Sequence, residues 1–207
     1  MRSHRAPPGP VAKAGTGARV TALLIAALAL GAAIANWRPL NQSADDRERP
    51  YVRTGTIGQQ VSARVFDATL LSARGAGKVG YQGQAHDTGG VWMIVRIRLT
   101  ATDEATTLGY AAVRDHRDRV YLATQRVSQQ MLGGRTLQPG IPVEADLLFE
   151  VPRDAATDLT LLLAEPSIDH RMDTMAEIAL PHYDTATVDG WASATEPAIL
   201  TSPKAGS

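Results

Sequence analysis

Apolar side chains alternate with other side chains along residues 91–101, and this pattern predicts the strand around which the fold is organised. The apolar series is Val91, Met93, Val95, Ile97, Leu99 and Ala101, and the positions between hold Trp92, Ile94, Arg96, Arg98 and Thr100. Side chains of a β-strand point alternately to its two faces. The pattern therefore predicts one buried face and one mixed face that becomes polar toward its end.

Residues 141–151 predict a second strong strand with the same period. Its inward series is Val143, Ala145, Leu147, Phe149 and Val151, and its outward series is Glu144, Asp146, Leu148 and Glu150. Pro152 ends the strand because proline cannot donate a hydrogen bond to a ladder. We expect truncation of Phe149 to destabilise the fold far more than truncation of Glu144. We also expect Arg96 and Arg98 to pair with Glu144 or Glu150, and recognition of an anionic partner by these arginines is the alternative.

Shorter segments complete the predicted architecture. Further strands are predicted at residues 51–57, 61–71, 108–113, 120–122, 159–163 and 178–180, with a change of face near Val65 and Phe66 that suggests a bulge or a change of sheet partner. Six glycines in residues 74–90 predict a long flexible loop, residues 114–118 a polar turn, and residues 124–135 one short helical turn. Many short strands, frequent turn signals and almost no amphipathic helix predict an all-β, immunoglobulin-like antiparallel β-sandwich.

Residues 20–37 are almost entirely apolar and predict a transmembrane signal-anchor. Residues typical of this span are Val20, Leu24, Ile25, Leu28, Leu30, Ile34 and Trp37. A helix of this length covers about 27 Å, which matches the core of a bilayer. The preceding residues carry only basic charges, so we expect a cytoplasmic N-terminus and an extracytoplasmic C-terminal domain, single-pass in the cell membrane. The alternative is a signal peptide cleaved after Ala35, which would make the domain a secreted one.

The composition of the chain predicts five successive regions. They are a disordered basic leader (1–19), the signal-anchor (20–37), a stalk (38–50), the β-sandwich (51–183) and a disordered tail (184–207). The tail is assigned as disordered because it is mostly Ala, Thr, Ser, Pro and Gly, with Trp191 isolated among them.

Several of these segments together resemble a group of bacterial extracytoplasmic immunoglobulin-like domains of unknown function. The resemblance rests on the strand at 91–99, the polar turn at 114–118, Leu137-Gln138-Pro139-Gly140, and the run Phe149-Glu150-Val151-Pro152-Arg153-Asp154-Ala155. It covers residues 51–180. Such domains follow lipoprotein signals or single membrane anchors, so the resemblance implies a β-sandwich outside the membrane and no catalytic residues. This chain has no lipoprotein cysteine, and its glycine-rich segment departs from the compact pattern.

Charge and residue content argue against several kinds of function. The chain has 21 basic and 21 acidic residues, and a balanced charge argues against a dedicated nucleic-acid binder. The absence of cysteine excludes thiol nucleophiles, disulfides and cysteine-bound zinc. The run Gly75-Ala76-Gly77-Lys78-Val79 is similar to a phosphate loop, but Ser72 stands at its first glycine and Val79 at its magnesium-binding hydroxyl. We therefore predict no enzyme activity, no cofactor and no metal.

The function predicted from the sequence is that of a non-catalytic accessory module that docks to an envelope or membrane protein. We place candidate partner contacts in the glycine-rich segment and the polar turn, because loops carry most recognition in β-sandwiches. The candidate contact residues are Lys78, Tyr81, Arg114, His116 and Arg117. The alternative is a carrier or sensor that holds a small apolar or lipidic ligand between the sheets.

Overall fold

The regular elements of the described residues are nearly all strands. The computed structural model describes residues 51–124, 126–127, 135–165 and 174–206. The strands are β1 (Tyr51–Thr56), β2 (Gln60–Ser62), β3 (Phe66–Tyr81), β4 (Gln84–Ala101), β5 (Thr106–Thr107), β6 (Tyr110–Asp115), β7 (Val120–Leu122), β8 (Thr136–Leu137), β9 (Val143–Val151), β10 (Leu159–Ala164), β11 (Thr174–Ala179), β12 (Ala198–Ile199) and β13 (Lys204–Ala205). A 3-10 turn covers Arg153–Ala155, and helix α1 covers Thr185–Ser193.

The strands form two main sheets that face each other. Sheet A has the order β1-β11-β10-β6-β7, and sheet B has the order β12-β3-β4-β9-β13, with β2 also paired to β3; β5 and β8 form a small separate ladder.

The predicted leader, anchor and stalk lie outside the described residues, as does most of the predicted helical turn near residue 130. In the part of the chain that the structure describes, no helix is long and apolar enough to span a bilayer.

The inward faces of the two sheets share one hydrophobic core. All six apolar residues of the 91–101 series are at most 2% exposed, and they meet Val113, Leu161 and Ile178 from sheet A. The inward series of β9 is buried in the same core. The predicted sandwich and the predicted inward faces of both strong strands are therefore confirmed.

The glycine-rich segment is a β-hairpin, and its prediction as a flexible loop is wrong. Strands β3 and β4 pair almost continuously, with bulges after Leu70 and Ala76, and are joined by Gln82 and Gly83. Both turn residues have positive φ (50° and 78°), the geometry that suits the twist of a tight hairpin. Glycine serves here because another segment approaches the strand: a Cβ at Gly75 would overlap the Trp191 ring.

The predicted strand at 61–71 is two strands. Val61 of β2 pairs with Ala68 of β3, and the chain reverses between them, closed by a hydrogen bond from Ala63 N to Phe66 O of 2.9 Å. The change of face near Val65 thus marks a turn and not a bulge.

The sheets are also not wholly antiparallel, because β1 runs parallel to β11 and β12 parallel to β3. These pairs join strands distant in sequence, so no hairpin dictates their direction.

Residues 184–206 are ordered, and the prediction of a disordered tail is wrong for them. Asp184 caps α1 by accepting a hydrogen bond from Thr187 N at 2.7 Å. Val188 of the helix enters the core, and Trp191 packs edge-on against Tyr183 with ring centroids 4.6 Å apart. The prediction failed because the segment is mostly polar and its few apolar side chains, Val188 and Trp191, are the ones that pack on the sandwich.

The outer face of sheet B carries a second hydrophobic cluster that the sequence analysis did not predict. This outer cluster consists of Ala76, Val79, Trp92, Ile94, Val127, Leu148 and Leu200. Trp92 and Ile94 belong to the face of β4 that was predicted to be mixed, yet they are at most 2% exposed. They are buried because Val127 and, from the C-terminal segment, Leu200 pack onto this face.

Candidate functional site

Two of the predicted partner contacts lie on the β3–β4 hairpin. Lys78 pairs with Asp87 on the neighbouring strand, with 3.2 Å between its Nζ and the carboxylate. Tyr81 ends β3 and lines a cleft of about 220 Å³ together with Pro197, Ile199 and Leu200. The hairpin end therefore presents a small cleft with an apolar lining, part of it supplied by the C-terminal segment.

The other three predicted contacts lie at the end of β6, which holds Arg114, and in the turn from β6 to β7, which holds His116 and Arg117. Arg114 Nη2 donates to Glu177 at 2.8 Å, and Arg117 Nη1 donates to Asp154 at 3.3 Å. His116 is exposed and lines a polar cleft of about 370 Å³ beside the ends of β10 and β11. The two predicted groups thus belong to different sheets, the hairpin to sheet B and the turn to sheet A.

A buried carboxylate fixes the conformation of this turn. The Asp115 side chain is fully buried, and its Oδ1 accepts hydrogen bonds from the backbone N–H groups of Arg117 and Arg119, both at 2.9 Å. Its Oδ2 accepts from Arg119 Nε at 2.6 Å. Burial opposes ionisation of Asp115, but these hydrogen bonds outweigh it and leave the carboxyl pKa below its ordinary value. The backbone of the turn is therefore held in one conformation.

Acidic and basic groups elsewhere are mostly paired with each other. Arg96 bridges Asp146 at 3.0 Å and Glu144 at 3.2 Å, and Arg98 pairs with Glu144 at 2.8 Å. The expected pairing with Glu144 is confirmed, whereas Glu150 pairs with Arg126. Hydrogen bonds from Arg98 and Arg96 outweigh burial and lower the pKa of Glu144. Among the described residues, no group of three or more acidic or histidine side chains is arranged to hold a metal ion.

A further exposed surface is the edge of the sandwich at β1 and β2, which the sequence analysis did not single out. Strand β1 ends sheet A, and five of its six residues are exposed. Tyr51 and Val52 are 69% and 46% exposed, and Ile57 just beyond the strand is 44% exposed. Residues 52–54 of β1 and 60–62 of β2 line a cleft of about 440 Å³. The sequence alone does not reveal this edge, because periodicity predicts a strand but not its position in the sheet.

Backbone groups at this edge are suited to pairing with another strand. In a parallel ladder, alternate residues of a strand bond to their neighbour, and the residues between them point to the other side. The β1–β11 ladder covers all six residues from Tyr51 to Thr56, so about half of the β1 backbone groups face outward. Such a row of donors and acceptors can bind an extended segment.

Comparison with known proteins gives only a distant likeness of fold. No family model and no curated protein matches the chain. The yjhA protein from Bacillus subtilis is 17% identical, with 60% of this chain and 99% of that chain covered and a TM-score of 0.45. An uncharacterized beta-sandwich protein from Clostridium difficile 630 is 9% identical, with 63% and 96% covered and a TM-score of 0.43. At these values the likeness carries no argument about function, and the assignment as a β-sandwich rests on the sheets described above.

Proposed function

We propose that the chain is a membrane-anchored, extracytoplasmic, immunoglobulin-like module that docks to a membrane or envelope protein and has no catalytic role. The observation that carries this proposal is the open edge of sheet A at β1. Among the strands that end the two sheets, β1 is the longest, with six residues, whereas β7 has three and β12 and β13 have two each. Docking by strand addition uses such an edge, with main-chain hydrogen bonds giving affinity.

The position of β1 in the chain supports a partner at the membrane. Strand β1 begins at Tyr51, directly after the predicted stalk at 38–50. A fully extended stalk of this length spans at most about 45 Å, so β1 would stay within that distance of the bilayer. The predicted contacts take a secondary place in this proposal. Lys78, Arg114 and Arg117 have acidic partners within the chain, whereas Tyr81 and His116 border clefts.

Replacement of Val52 by lysine should weaken docking, because a charge at an edge strand opposes strand addition. Val120 is a matched control: it lies on the opposite edge strand of sheet A and is 47% exposed, against 46% for Val52. We expect Val52→Lys to reduce crosslinked capture of the partner from envelope membranes by about tenfold or more, or roughly 1.4 kcal/mol. We expect Val120→Lys to leave capture unchanged. Equal losses from both variants, or a loss from Val120→Lys alone, would contradict docking at β1.

The predicted orientation in the membrane has a separate test. Protease added outside spheroplasts should digest epitopes placed after Tyr51 and spare epitopes in the basic leader, because the positive charges hold the leader inside. Spheroplasts that express the chain and receive no protease serve as the control. Release of a mature chain beginning at Asn36 would show a cleaved signal peptide and a secreted domain, and would contradict the anchor.

The alternative function is a carrier or sensor of a small apolar or lipidic ligand. Its support is the apolar cleft at the hairpin end, lined by Tyr81, Pro197, Ile199 and Leu200. This cleft is not between the sheets, where the inward side chains, among them Phe66 and Phe149, are almost completely buried against one another. Native mass spectrometry of the purified chain distinguishes the two functions, since a carrier retains a small ligand and a docking module does not.

A further inference from the structure

The C-terminal strap, residues 194–206, crosses the outer face of sheet B from one edge to the other. It first pairs with β3 through β12, where Ile199 lies beside Gly80. Leu200 then enters the outer cluster, and Leu200 N donates to Gly80 O at 3.1 Å. At the far edge β13 pairs with β9, and Gly206 N donates to Pro142 O at 2.8 Å. Both edges of the sheet are thus paired with the same segment.

The surface beneath the strap is shaped to receive an extended segment. Trp92, Ile94 and Leu148 provide an apolar floor for Leu200. Beside them Asp146, 4% exposed, accepts a hydrogen bond from Thr201 N at 2.9 Å while its other oxygen accepts from Arg96 at 3.0 Å. A buried carboxylate that binds a backbone N–H specifies where an incoming main chain must lie.

Glycine in β3 allows the close approach of the strap. A Cβ at Gly80 would lie 2.9 Å from Ile199 Cδ1, and the Pro197 ring atoms follow at 3.5 Å and beyond. A larger residue at this position would require the exposed, flexible Ile199 side chain to move aside. The outer face of sheet B is therefore an acceptor site with two recognition features, an apolar floor and a buried hydrogen-bond acceptor.

The strap itself is held by few interactions. Leu200 is its single buried residue, and each of its two strand pairings is two residues long. The connection at 194–197, between α1 and β12, is exposed throughout. Segments with little buried surface open locally at a free energy well below that of global unfolding. Opening of the strap uncovers the outer cluster, Asp146 and both edges of sheet B together.

We propose that the outer face of sheet B accepts the C-terminal strap of a second copy of this chain, so that copies exchange straps. A second copy is the occupant because its strap has the same sequence, and it can therefore form on a neighbouring chain the same pairings that it forms on its own. Exchange of an identical element is a low-cost route to a dimer. The acceptor face and the strap both lie within residues 51–206, so this proposal does not depend on the anchor or on docking at β1.

Engineered cysteines in the full-length chain test the exchange, since the natural chain has none. One tagged copy carries Gly80→Cys with Ile199→Ala, and a second copy with a larger tag carries Ile199→Cys. Paired strands bring these positions within disulfide range. After co-incubation in detergent micelles and mild oxidation, we expect a mixed disulfide dimer. A collision control places the first cysteine at exposed Glu104, and we expect its yield to be at least about tenfold lower. Equal yields for the two acceptor positions, or no mixed dimer, would overturn the proposal.

A second measurement covers the case in which the cysteine variants fail to fold. Isotope-labelled and unlabelled chains of natural sequence are mixed and analysed by native mass spectrometry over a concentration series. We expect dimers of mixed mass that Leu200→Asp abolishes, because the aspartate cannot enter the outer cluster. A chain that remains monomeric at every concentration overturns the proposal. A Leu200→Asp monomer that instead binds a different protein at the vacated face overturns the assignment of the occupant.

Discussion

Replacing Phe149 with alanine should lower the free energy of unfolding by about 3–5 kcal/mol, as large truncations in protein cores do. Phe149 is fully buried in β9, where it pairs with Met93 of β4. Its ring fills space between the two sheets, and the strands around it cannot collapse into the cavity without breaking their ladders. Chemical denaturation of the folded domain, with the midpoint and slope measured separately, gives the change.

The control for this substitution must be an exposed residue of β9 or of the residues just before it. Glu144 is not suitable, although the alternation places it outward, because its carboxylate binds both Arg96 and Arg98 and its side chain is only 12% exposed. Ile141 is 53% exposed, and Ile141→Ala should change stability by no more than about 0.5 kcal/mol. Similar losses from Phe149→Ala and Ile141→Ala would contradict the assigned core.

Replacing Trp92 with alanine should cost about as much, roughly 3–5 kcal/mol, although Trp92 faces away from the space between the sheets. Its ring is fully buried in the outer cluster, its Nε1 donates to His86 O at 3.1 Å, and the Arg126 guanidinium lies 5.3 Å from the ring centroid. The substitution opens a cavity under the strap and removes both polar interactions. Equilibrium denaturation measures the loss.

Trp92→Phe separates the volume of the ring from its polar interactions. Phenylalanine retains most of the apolar volume but has no N–H group, so we expect a smaller loss than for alanine. Removal of the hydrogen bond to His86 O alone accounts for about 0.5–1.5 kcal/mol. If Trp92→Ala costs less than about 1 kcal/mol, the outer cluster does not act as a core and the strap does not seal it.

Periodicity predicted correctly which side chains face the core between the two sheets. The six apolar residues that alternate from Val91 to Ala101 face the core between the sheets, and all six are buried there. The same reasoning failed for Trp92 and Ile94 because their cover comes from Val127 and Leu200, which are distant from them in the chain. A local pattern describes which faces are apolar, whereas it does not say which distant segment lies on them.

The glycine content of residues 74–90 led to a prediction of flexibility where the structure has a paired hairpin. Gly75, Gly77 and Gly80 indicated flexibility, yet they lie in a long paired strand under the C-terminal segment. Glycine in a strand weakens it intrinsically, but here it leaves room for the Trp191 ring at Gly75 and for backbone oxygens at the end of α1 at Gly77. The open edge at β1 was equally beyond prediction, since the order of strands in a sheet is set by pairings across the whole chain. Arg114 and Arg117, chosen because turns carry recognition, have carboxylate partners that the sequence does not reveal.

The parallel pairing of β1 with β11 imposes an order on folding. Tyr51, the first residue of β1, pairs with Thr174, so a newly synthesised chain holds β1 without its neighbour until almost the entire domain has been made. Pairings between residues so distant in sequence give the fold a high contact order, and closing such long loops before any stabilising interaction forms makes folding slow. During that interval the hydrophobic strands β3, β4 and β9 can form their ladder first, because β3 and β4 are joined by a two-residue turn. The ladder of β3, β4 and β9 is thus the natural template, and the β1–β11 pairing of sheet A forms on it late.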